Sequence, residues 1–134
     1  MLLKALDTKQ GQLFLELVNI IVESNGIVDE LEKQVFNEFR YELSLSEEEY
    51  FLKKLSLNEI LQQLAESDVK AKRIIFLEVL AIAFVDGEII PEEKILDNIR
   101  NAFEISIEQY EKYKEWVIDM NVLYARIRDL INES

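Results

Sequence analysis

The chain has 134 residues, a size that fits one domain, and its 27 acidic against 15 basic side chains leave a formal net charge of −12. A surface of that sign repels the phosphates of nucleic acid and of anionic lipid, so neither is an expected partner, and cations or a basic protein surface are favoured instead. The chain has no Cys and no His, which excludes disulfides, thiolate and imidazole metal sites and His-based triads together, and leaves oxygen ligands suited to Ca²⁺, Mg²⁺ or Mn²⁺.

Only three Gly and one Pro occur, and no stretch alternates apolar and polar residues for long, so the chain reads as all-α. The first helix is expected over 9–24, opened by Asp7 or Thr8 as N-cap. Gln12, Glu16, Asn19 and Glu23 share one of its faces, and Leu13, Leu17, Ile20, Ile21 and Val22 spread over the other. A second helix over 29–42 starts at the capping box Asp29/Glu32, a third over 46–55 at Ser46/Glu49, and a fourth over 56–66 at Ser56/Glu59. The fifth, 68–86, is capped by Asp68 and is apolar nearly all round, which assigns it to the centre of a bundle. Its run "IIFLEVLAIAFV" has 12 residues with Glu78 inside it, short of the roughly 20 a bilayer span needs. A sixth helix over 90–103 takes Pro91 in its first turn, and a seventh over 106–131 opens at the capping box Ser106/Gln109. The seventh carries Tyr110, Tyr113, Trp116, Met120, Leu123, Ile127 and Ile131 on one stripe. Ile118 and Val122 fall off that stripe, so either the helix breaks near 119–121 or those two side chains face a partner. The N-terminal "MLLKALDTKQ" is too short and polar for a signal peptide, and the expected location is cytoplasmic.

No linker divides the chain, and one domain over 1–134 is expected. Within it, a shift of 61 residues lays "ELVNIIVESNGIVDELEKQVF" on "LEVLAIAFVDGEIIPEEKILD", matching Asn25 to Asp86, Gly26 to Gly87 and Glu32 to Glu93. With one residue inserted, "YELSLSEEEY" and "FEISIEQY" continue the match. A duplication is expected, with halves over 9–66 and 68–131 related by a pseudo-two-fold and the first and fifth helices packed together at the centre.

The pattern A-x-x-DG-x-x-x-x-EE at Ala83, Asp86, Gly87, Glu92 and Glu93, with a second copy at Asn25, Gly26 and Glu32, resembles the TerB-like family, which includes the tellurite-resistance protein TerB. The resemblance covers roughly Phe14 to Tyr113. It implies an all-helical fold and an acidic cluster that binds metal ions. The chain departs from the family pattern at Asn25, where an aspartate is usual, and at Ile90, where a capping Asp or Ser precedes the proline.

Two readings of the acidic residues stand side by side. In the first, the two loops lie close, and Asp86, Glu88 and Glu93 join Asn25, Asp29 and Glu32 around one or two hard cations. Neither loop is an EF-hand, because Ile82 and Phe84, or Ile21 and Glu23, stand where the first two ligands belong. In the second, Gly26 and Gly87 end helices, and Glu32 and Glu93 cap the next ones against the helix dipole. Glu78 lies among Ile74, Ile82 and Val85 and needs either a partner or a raised pKa. No phosphate loop, nucleophile elbow or basic patch occurs, so no enzyme is expected. The expected function is a non-catalytic accessory protein that binds a divalent cation, in a stress response. The alternative is an acidic protein-interaction module without metal, and the sequence leaves its partner and oligomeric state open.

Overall fold

The computed structural model describes residues 2–25, 29–85, 88–89 and 93–133, with the side chains of 25, 29–33, 35, 84–85, 88–89 and 93 outside the description. A 3-10 helix, Leu3–Ala5, precedes α1 (Thr8–Asn25) and α2 (Asp29–Leu43). A long irregular connection leads to α3 (Leu57–Leu64) and α4 (Val69–Ala83). Two short strands, β1 (Phe84–Val85) and β2 (Glu88–Ile89), then α5 (Glu93–Ala102) and α6 (Ile107–Ile131), complete the chain. No helix among the described residues is long and apolar enough to cross a membrane.

The caps fix where the helices begin. Asp7 Oδ1 accepts the Gln10 N–H at 2.8 Å, and Gln10 Oε1 accepts the Asp7 N–H at 3.0 Å, a reciprocal box ahead of α1. Ser56 and Ser106 accept the N–H groups of Glu59 and Gln109, and Gln109 returns the contact to Ser106. Asp68 accepts from Ala71 N–H at 2.9 Å at the head of α4.

The core is built on α1 and α4, which pack on each other, the nearly all-apolar α4 taking the central place its composition requires. Phe14, Leu17, Val18 and Ile21 of α1 and Ile75, Phe76, Val79 and Leu80 of α4 are buried. Each such side chain contributes about 1.5–3 kcal/mol by leaving water. Around this pair, α1 also packs on α2 and α3, and α4 on α6 and the 3-10 helix. Phe14 meets Phe39 of α2 edge-on, with ring centres 5.1 Å apart.

Three expectations are corrected. The helix expected over 46–55 is a single turn, Ser46 to Tyr50, followed by irregular chain to Ser56. Glu49 N–H donates to Ser46 Oγ at 3.3 Å, which is half of the expected box, since the Glu49 carboxylate accepts from the Ser46 hydroxyl; Lys53 N–H and Leu55 N–H donate to the Glu16 carboxylate, and Lys54 has a left-handed φ of 56°. A tertiary acceptor has captured the donors that a longer helix would use. The helix expected to run to 86 ends at Ala83, because Phe84 and Val85 pair in antiparallel register with Ile89 and Glu88. Finally, the face of α1 carrying Glu16 and Asn19 is turned inward: Glu16 is 1% exposed and Asn19 is also buried. By contrast α6 is continuous from Ile107 to Ile131, with no break at 119–121.

One corner is built twice, 60 residues apart. Leu45 N–H donates to Arg40 C=O at 2.9 Å and Ile105 N–H to Arg100 C=O at 3.0 Å, closing the ends of α2 and α5. Ser44 and Glu104 both take φ 57°. The Arg40 and Arg100 guanidinium groups each donate back to the carbonyl of the buried residue, Leu45 or Ile105, at 3.3 and 3.0 Å. Ser46 and Ser106 then start the next turn.

Candidate functional site

The six residues singled out for a cation fall at helix and strand ends. Asn25 ends α1, Asp29 and Glu32 are in the first turn of α2, Glu88 starts β2 and Glu93 starts α5. Asp86, and the side chains of the other five, lie outside the described residues. Among the described residues no group of three or more Asp or Glu side chains is placed to hold a metal ion.

A buried carboxylate that the sequence placed at the surface organises the other half of the molecule. Glu16, on α1, accepts the Tyr50 hydroxyl and the backbone N–H groups of Lys53 at 2.7 Å and Leu55 at 3.2 Å. Arg40, on α2, donates to Tyr50 C=O at 2.9 Å. Burial, followed by the hydrogen bond to Glu16 and the carboxylate's charge, pushes the Tyr50 phenol well above its ordinary value. With its oxygens engaged by three donors, this carboxylate clamps the 50–55 segment onto α1. The group is structural.

Glu78 is 8% exposed and accepts the Leu2 N–H at 3.3 Å, while Glu42 accepts the Leu3 N–H at 3.3 Å. Two acidic side chains from α4 and α2 therefore hold the entry to the 3-10 helix. Burial pushes the Glu78 carboxyl up, with the charge of Glu42 adding to it, against the opposing amino-terminal charge and the Leu2 hydrogen bond. Glu78 has both the partner and the raised pKa that its burial calls for, the partner being backbone at the start of the chain.

An open apolar groove lies on α6. It measures about 430 Å³ and is lined by Trp116, Asp119, Met120, Leu123, Tyr124 and Ile127. Val117 is buried against the body, and Tyr110 and Tyr113 stack obliquely on Phe76, with ring centres 5.9 and 6.3 Å away. Beyond them the helix runs on with its apolar side chains in solvent: Trp116 is 41% exposed, Leu123 56% and Leu130 69%. The sequence displayed this stripe, but the large aromatic side chains at helical spacing read as core. Only the structure shows which part of the stripe the body covers.

No family model, no curated protein and no solved structure matches the chain.

Proposed function

We propose that the chain is a non-catalytic accessory protein of TerB-like type that works as a protein-interaction module through the exposed face of α6. The observation that supports this reading is the groove from Trp116 to Ile127, whose apolar lining stays in solvent while equivalent side chains nearer the helix start are covered. An amphipathic helix presenting such a row is a docking element for a second helix. A photo-reactive phenylalanine analogue at Tyr124 tests it in the cell that makes the protein. Covalent adducts to protein are expected from position 124 and not from the exposed Tyr41 of α2. Adducts from neither position, or equally from both, contradict it.

The cation reading is the second, and the pairing of Asn25–Glu32 with Asp86–Glu93 in the sequence favours it. Calorimetric titration with Ca²⁺, Mg²⁺ and Mn²⁺ is expected to give heat with the native chain and none with the Asp86→Asn, Glu93→Gln double variant. Silence from both, with melting temperatures unmoved by the ions, removes this reading and leaves the first.

A further inference from the structure

We infer that the partner of the α6 face is a second copy of this chain, docked antiparallel about a two-fold axis that passes between Asn121 and Val122; the inference rests on the interaction reading above. Trp116, Met120, Leu123, Ile127 and Leu130 follow one another at intervals of three and four, the seam spacing of paired helices. The lining residues of the groove occupy positions that pair about one point of the helix. Trp116 and Ile127, Asp119 and Tyr124, and Met120 and Leu123 are three pairs centred on the same point, midway between Asn121 and Val122. A two-fold, isologous interface brings residue i of one copy to residue j of the other and j to i, so an axis at that point engages every lining residue. With the axis there, Trp116 lies beside Ile127 of the other copy, and Met120 beside its Leu123.

The charges along one flank select the direction of pairing. Lys112, Asp119 and Arg126 stand seven apart on the same edge of α6, and all three are exposed. An antiparallel copy sets Asp119 against Arg126, and symmetry repeats the pair, so opposite charges meet twice. A parallel copy sets those charges against Val117, Tyr124 and Ile131, where they find no counter-charge. The Asp119 and Arg126 pair is neutral in sum although the chain carries −12. The seam therefore relieves the repulsion between two acidic copies locally, and it offers no special attraction to a basic partner.

Sedimentation equilibrium of the full chain from micromolar to millimolar concentration tests this, with circular dichroism confirming that each variant is folded. A reversible dimer is expected. Asp119→Arg alone and Arg126→Asp alone put like charges face to face and are expected to weaken the dimer at least about tenfold, while the two together restore it. Leu123→Asp is expected to be monomeric. Spin labels on an Arg128→Cys variant are expected to sit about 20 Å apart along the axis; labels side by side indicate parallel pairing and overturn the inference. A native chain that stays monomeric overturns it too, as does a dimer that neither single charge reversal weakens. A monomer whose Tyr124 position still cross-links to a different protein overturns the second-copy inference and leaves the interaction reading intact.

Discussion

The Tyr50 hydroxyl donates to the Glu16 carboxylate across 34 residues of chain, and Glu16 also takes the N–H groups of Lys53 and Leu55. Sixty residues on, at the second corner, Tyr110 lies over Phe76 with ring centres 5.9 Å apart. The first tyrosine is followed by irregular backbone tied to a carboxylate, and the second by a helix that runs to Ile131. The two corners thus lead into different surroundings, a polar pair at Tyr50 and an aromatic pair at Tyr110.

Removing the clamp therefore costs more than one hydrogen bond. Tyr50→Phe leaves Glu16 with two donors and is expected to destabilise the fold by about 1.5–3 kcal/mol, the range for a hydrogen bond to a charged group. Glu16→Ala leaves a buried hydroxyl and two N–H groups without their acceptor, and about 3–5 kcal/mol is expected. Urea unfolding measures both. Hydrogen exchange is expected to show the 53 and 55 amides losing protection in Glu16→Ala, while a clamp of no consequence leaves them protected.

Alkaline titration isolates Tyr50 among the five tyrosines. Its phenol is raised above the ordinary 10.0 by burial and by Glu16, so the folded state holds that proton more tightly than the unfolded chain does. Stability from this group is complete below the unfolded value and is lost as pH climbs beyond it. Absorbance of phenolate is expected to show one tyrosine ionising only with unfolding, and that late step is expected to vanish in Tyr50→Phe.

Glu78 carries the opposite consequence at neutral pH. Its carboxyl is raised from the ordinary 4.5, chiefly by burial, so the folded state binds this proton more tightly and loses stability as pH rises through the folded value. Glu78→Gln keeps an oxygen for the Leu2 N–H and removes the buried charge. Its melting temperature is expected to exceed the native one at pH 7, with the gap closing as both are acidified toward pH 4. A gap that widens in acid contradicts this assignment.

The two corner residues in left-handed conformation are strained side chains at glycine positions. Glu104, at φ 57°, is exposed, so Glu104→Gly removes the steric cost without opening a cavity. A gain of a few tenths to about 1 kcal/mol is expected from urea unfolding. Ser44→Gly, at the same φ in the first corner, is expected to behave alike.

Local chemistry was legible in the residues. Ser56, Asp68 and Ser106 cap the helices they were expected to cap, and the all-apolar α4 lies at the centre. What could not be read was set by distant contacts. Ser46 caps the Glu49 N–H as its sequence suggests, but it opens only one turn because Glu16, 37 residues before Lys53, takes the next donors. Glu16 itself read as solvent-facing because Gln12, Asn19 and Glu23 share its side of the helix. The flanking Leu15 and Leu17, with Phe14 and Val18 a step further, left no polar face wide enough for that reading. The early end of α4 had a sequence signal: Asp-Gly between Phe84–Val85 and Glu88–Ile89 is a favoured pair between two short strands. The cation residues depend on 26–28, 86–87 and 90–92, which lie outside the described residues.

Trp116 is the single tryptophan of the chain and stands on the open face of α6, 41% exposed. Its fluorescence reports most directly whether another copy covers that face. On concentrating the native chain, emission is expected to shift to the blue and acrylamide quenching to fall, with both changes reversed by dilution and absent in Leu123→Asp. Emission and quenching that stay constant from dilute to concentrated solution contradict it.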